Sequence, residues 1–70
     1  LNEKESGLIK DVVNELLSEI EAIYNEKDDL YKKGQVLAYA NTLGIIKGVL
    51  QGYDLKEYGL DFDIDKKYLI

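Results

Sequence analysis

The stretch Val36-Leu-Ala-Tyr-Ala-Asn-Thr-Leu-Gly-Ile-Ile-Lys-Gly-Val-Leu-Gln-Gly-Tyr53 carries two patterns at once. Val36, Tyr39, Leu43, Ile46, Leu50 and Tyr53 recur at steps of three and four, the spacing that stacks side chains on one face of an α-helix. Ala40, Gly44, Gly48 and Gly52 recur at steps of four and form a stripe of small residues that another backbone can approach closely. Gly inside a helix costs about 1 kcal/mol relative to Ala, so Gly44 and Gly48 weaken this helix unless close packing offsets the loss. The alternative is that both are tolerated on an exposed side beside Lys33, Lys47 and Gln51. The stripe Ala40, Gly44, Gly48 and Gly52 is therefore the first candidate for contact with another helix.

Toward the N-terminus, Leu8, Ile9, Val12, Val13, Leu16, Leu17, Ile20, Ile23 and Tyr24 fall in one broad helical stripe, with Lys10, Asn14, Glu15, Ser18, Glu19 and Glu21 on the other side. Asn2 or Ser6 can cap the start. The pattern breaks at Lys27, within a run of polar turn formers from Asn25 to Asp29. Asp28 or Asp29 can then cap a second helix, in which Tyr31, Ala38, Tyr39, Thr42, Ile45, Ile46, Val49 and Leu50 cluster around one side. A rival division runs the first helix to Lys33 and ends it on Gly34.

After Gly52, Asp54 can cap one helical turn, which Gly59 stops. Leu60, Phe62 and Ile64 alternate with Asp61, Asp63 and Asp65, a period of two that predicts an extended segment, and Asp65 can cap a last turn through Tyr68. The expected architecture is all-α: one small domain over 1–70, an antiparallel hairpin of helices near 4–25 and 29–51, a short third helical turn at 55–58, and an extended tail over 59–70 folded back over one end.

Seventy residues hide only about 60% of the surface of the unfolded chain, and small domains usually add disulfides, a metal or a second subunit. The chain has no Cys and no His, so dimerisation is the expected way to complete a helical bundle. A net charge of −5 and the absence of Arg argue against nucleic acid as a partner, because Lys and Arg supply most of the affinity for phosphate. No apolar run approaches the roughly 18 residues that span a bilayer, and no basic segment leading into an apolar one opens the sequence. A cytoplasmic protein with no membrane partner is the expectation. The sequence opens on Leu1 and holds no Met, which implies that the natural start lies upstream or was removed. The preference for Lys over Arg fits an AT-rich bacterial genome.

No residue set announces chemistry. Ser6, Ser18 and Thr42 are the only aliphatic hydroxyls and have no His or Cys beside them, so no nucleophilic triad can be built and no catalytic residue is expected. Asp61, Asp63 and Asp65 imitate the first ligands of a calcium loop, but Lys66 stands where that loop needs Gly and no bidentate Glu follows. Glu15 and Glu19 lie one turn apart without the His that a di-iron bundle requires. The six glycines form no phosphate-binding fingerprint, so neither a cofactor nor a metal is expected. Of the six tyrosines, Tyr31 and Tyr39 are expected at the edge of the core, and Tyr58 and Tyr68 at contact with a partner.

The spacing Ala40, Gly44 and Leu50, with Leu43 and Ile45 around the glycine, resembles the turn of helix-turn-helix DNA binders over about twenty residues. That resemblance implies a transcriptional regulator with a helix break at Gly44. It departs from the pattern at the positions that would face bases, which hold Ile46, Lys47, Gly48 and Gln51. The leading expectation is a non-catalytic interaction or regulatory protein that pairs with itself or with another protein.

Overall fold

In the computed structural model, which describes residues 1–26 and 29–69, the chain is an all-helical hairpin. Helix α1 spans Glu3–Tyr24, α2 spans Leu30–Val49, and a short α3 spans Ile64–Tyr68. No strand element occurs among the described residues. Lys27 and Asp28, where the periodicity breaks and where one of the two candidate caps falls, lie outside the described residues, as does Ile70.

Local chemistry sets the boundaries. Asn2 closes a full capping box, its side chain accepting from the Glu5 amide while the Glu5 carboxylate accepts from the Asn2 amide, at 2.8 and 3.0 Å. Asp29 caps α2 by accepting from the Lys32 amide at 2.7 Å, so the hairpin divides before Leu30 and not at Gly34. Beyond α2 the chain turns through Gly52 (φ 99°) and Gly59 (φ 75°), both in the left-handed region that glycine adopts without steric cost. Between them lies a hydrogen-bonded turn in which the Glu57, Tyr58 and Gly59 amides donate three residues back, in place of the expected helix at 55–58. Asp63, not Asp65, caps α3, and the helix starts at Ile64.

The core comprises Val13, Ile20 and Ile23 of α1, Val36, Ala40 and Leu43 of α2, and Leu50, Tyr58, Leu60, Ile64 and Tyr68 beyond them. The C-terminal segment thus supplies four of the buried side chains. It does not fold over one end of the hairpin as expected but runs along its flank. Tyr58 meets Ser6, Glu57 pairs with Lys10 at 3.2 Å, a Cβ on Gly59 would stand 3.8 Å from Leu17, and Tyr68 meets Glu21. These contacts climb fifteen residues of α1, or about 22 Å of helix. On the α2 side, the Lys47 ammonium donates to the Phe62 carbonyl. The alternation after Gly59 survives as burial: Leu60 and Ile64 point inward, while Asp61, Asp63 and Asp65 stay in water.

Two polar contacts fasten this segment. The Ser6 and Tyr58 hydroxyls share a buried hydrogen bond of 2.9 Å between residues 52 positions apart in the sequence. At the other end Glu21 accepts from the Tyr68 hydroxyl and pairs with Lys67 at 3.0 Å. The Tyr68 hydrogen bond, and then Lys67, hold the Glu21 carboxyl below the usual carboxylate range. Burial first, and then Glu21, raise the Tyr68 phenol, and Glu21 raises Lys67.

Ser6→Ala and Tyr58→Phe each strand one buried hydroxyl and should each cost about 1–2 kcal/mol, whereas the double variant should lose less than the sum. Urea unfolding of the four proteins measures the coupling, and strictly additive losses would show that the two hydroxyls do not meet. Glu21 adds stability that is complete above the unfolded carboxylate pKa of about 4.3 and is lost as pH falls through its lower folded value. Tyr68 and Lys67 act in the opposite sense, stabilising below about pH 10 and losing that contribution as pH rises through their raised folded values. Glu21→Gln should therefore lower the urea midpoint at neutral pH and flatten the loss on both the acid and the alkaline side. Limbs as steep as those of the parent chain would contradict the clamp.

Candidate functional site

The small-residue stripe does not form one surface. Each step of four residues rotates about 40° around the helix axis, so Ala40 to Gly52 sweep through about 120°. Ala40 lies in the core, Gly44 and Gly48 face open space with nothing within 4 Å of where a Cβ would stand, and Gly52 serves the turn after α2. Tyr58 and Tyr68, expected to meet a partner, are 3% and 5% exposed. Their rings fill the core of this chain and their hydroxyls are taken by Ser6 and Glu21. Tyr31, expected at the core edge, is 78% exposed.

These corrections share a cause. Helix α2 has two apolar stripes that satisfy helical spacing, and one hairpin can bury only one of them. The chain buries Val36, Ala40, Leu43 and Leu50, with Tyr39 and Ile46 half-buried beside them. The other stripe, Tyr31, Ala38, Thr42, Ile45 and Val49, remains exposed. Ile45 is 69% and Val49 74% exposed. Across from them on α1, Leu8 (66%) and Val12 (47%) are also open.

Together these residues make a groove. Leu8, Ile9, Val12 and Val13 of α1 and Ile45, Ile46 and Val49 of α2, with Leu50, line an open cavity of about 300 Å³. Every lining side chain is aliphatic, so the groove offers no acid, base, nucleophile or metal ligand. It offers shape and apolar area, which suits a side chain from another polypeptide and no chemical transformation. The C-terminal segment covers the flank marked by Lys10, Leu17 and Glu21, and the groove lies where that segment does not reach.

Other constellations do less. A shallow depression of about 790 Å³ is lined by Tyr24, Lys32, Lys33, Val36, Leu37, Tyr68 and Leu69. Its Lys32 ammonium already donates to the Glu26 carbonyl at 2.8 Å and lies 5.5 Å from the centre of the Tyr24 ring. The displaced pKa values at Glu21, Lys67 and Tyr68 arise from the clamp between α1 and α3, whose two charged side chains are about half exposed. No group of three His, Cys, Asp or Glu able to hold a metal ion occurs among the described residues. Asp63 spends its carboxylate on the α3 cap, and Asp61 and Asp65 stand in solvent.

Helix α2 runs without a break through Gly44, so Ala40, Gly44 and Leu50 do not bracket a turn between two helices, and the spacing loses the geometry that made it resemble a DNA reader. Among the described residues no helix is long and apolar enough to cross a membrane. No protein-family model, no curated protein and no solved structure matches this chain, so the groove and its chemistry stand as the guide to what it does.

Proposed function

We propose that this chain is a non-catalytic protein–protein interaction module of the cytoplasm, and that it acts through the open apolar face of its hairpin. The observation that carries the reading is the groove between Leu8 and Val12 on one side and Ile45 and Val49 on the other. Four large aliphatic side chains, each about half to three-quarters exposed, sit together on one face of a domain with few residues to spare for a core. Single exposed apolar residues are ordinary on protein surfaces, whereas a contiguous patch marks a contact surface. Fully burying such a side chain stabilises by about 1.5–3 kcal/mol, so a partner that covers the four gains several kcal/mol before the cost of association.

The groove also sets the chemistry of what fits. Two helices with a seam of aliphatic side chains between them receive a third helical surface whose own apolar residues recur at three and four. The acidic balance of the chain keeps the module soluble and gives it no general attraction for phosphate.

Position-specific photo-cross-linking tests the reading. With benzoylphenylalanine in place of Val49, irradiation in cells that make the protein should yield a covalent adduct to a polypeptide. The same group in place of Lys56, which is exposed on the segment after α2, should yield none. Equal yields from both positions, or no adduct from position 49, would contradict it.

A further inference from the structure

Resting on the reading of the hairpin as an interaction module, we propose that the occupant of the groove is a second copy of this chain. The two copies pack about a two-fold axis parallel to the helices, so that α1 of each lies along α2 of the other. Three observations lead there: the periodicity of the bare face, its charge, and its area.

The exposed stripe of α2 has a strict alternation of steps, Tyr31, Gln35, Ala38, Thr42, Ile45 and Val49, at four, three, four, three and four. That is the repeat of a bundle seam. Helix α1 has the matching series on its groove side, Glu5, Leu8, Val12, Glu15 and Glu19, at three, four, three and four. Both series become apolar at the same level of the hairpin, where Leu8, Val12, Ile45 and Val49 line one groove. A two-fold axis parallel to the helices preserves that level, so Leu8 and Val12 of one copy meet Ile45 and Val49 of the other. The contact is isologous, with the same patch on both sides. Farther along, Glu15 and Glu19 come level with the part of the α2 series between Gln35 and Thr42, which holds no charge to oppose them.

Charge selects this arrangement over the other symmetric one. The groove side of α1 carries Glu5, Glu15 and Glu19, whereas the α2 series carries no charge, and the Lys32 and Lys47 ammoniums of α2 donate elsewhere, to the Glu26 and Phe62 carbonyls. An axis across the helices would lay α1 on α1 and α2 on α2, setting the glutamates of one α1 against the like-charged face of the other. An axis parallel to them lays those glutamates along the uncharged stripe of α2, and every neighbouring pair in the resulting four-helix bundle is antiparallel.

The area is adequate. Two helices roughly 30 Å long and roughly 10 Å wide present a face of about 600 Å² per copy. Paired, the two faces bury about 1,200 Å², which reaches the lower bound of stable specific interfaces. A chain of 70 residues without Cys or His lacks the disulfides and common metal sites that brace domains of this size, and a second subunit fills that role.

Sedimentation equilibrium on the full chain from about 1 to 200 μM tests the proposal, the range bracketing the affinities of modest interfaces. The parent chain should reach the mass of a dimer within that range. Ile45→Glu, which sets a carboxylate against the acidic helix of the other copy, should weaken dimerisation at least about a hundredfold while keeping the far-ultraviolet spectrum of the folded chain. Leu8→Lys, at an equally open site facing the aliphatic Ile45 and Val49 of the other copy, should do the same and replaces Ile45→Glu should that variant not fold. Gly44→Ala with Gly48→Ala should leave the dimer intact and raise its melting temperature, since both positions face open space. A monomer at 200 μM, or a dimer that survives both groove variants, overturns the proposal. A monomer whose Val49 cross-links to a different protein overturns self-pairing alone and leaves the interaction module standing.

Discussion

Leu60 is wholly buried in a core it shares with Val13, Ile20 and Leu43, and the rest of the structure depends on that burial. Two helices packed side by side leave a seam with two open flanks, and a chain of this size has material to cover one. The segment after Gly52 is that material. Its turn places Tyr58 against Ser6, Leu60 enters between the helices, and α3 fastens the far end through Tyr68 and Glu21. Without these contacts the hairpin would expose aliphatic seams on both flanks. With them it exposes one, and that remaining flank is the groove.

The asymmetry joins fold to function. Polar atoms on the covered flank have partners: hydroxyl to hydroxyl at Ser6 and Tyr58, carboxylate to phenol and ammonium at Glu21, ammonium to carbonyl at Lys47. The exposed ion pairs Lys10–Glu57 and Lys67–Glu21 add little by themselves, since solvent-exposed pairs contribute about 0–1 kcal/mol. Apolar burial holds the segment, and the polar contacts fix its register. On the bare flank, the groove is lined by aliphatic side chains alone among the described residues. A surface of that kind gains from any well-fitting apolar cover and supplies no group for catalysis.

Much of the fold was legible because it rests on local signals. The stripe from Leu8 to Tyr24, the polar break before Leu30 and the capping residues Asn2 and Asp29 set both long helices to within about two residues, the usual error of element boundaries. The face of α2 that enters the core was only half legible. Periodicity marks Val36, Leu43 and Leu50 and, equally well, Tyr31, Ile45 and Val49; the choice between them depends on where residues 54–69 lie, which is a tertiary fact. The site suffered from the same gap. Tyr58 and Tyr68 read as contact residues because nothing local shows that Ser6 and Glu21 await them from more than forty residues away. The glycines read as an interface because a step of four resembles a stripe until its drift around the helix is followed. The exposed cluster at Ile45 and Val49 was visible as an apolar set on one side of the second helix, with no local sign that the chain would leave it bare.

Native-state hydrogen exchange of the full chain tests most directly whether the C-terminal segment is part of one core. The Leu60 amide donates to the Leu55 carbonyl at 3.0 Å, in a turn that has little protection of its own if the segment merely rests on the helices. This amide should exchange with the same free energy of opening as the amides of Val13, Ile20 and Leu43, because all four sites are released only when the core opens. Fast exchange at Leu60 while those helical amides stay protected would show that the hairpin stands without its cover, and would contradict the account.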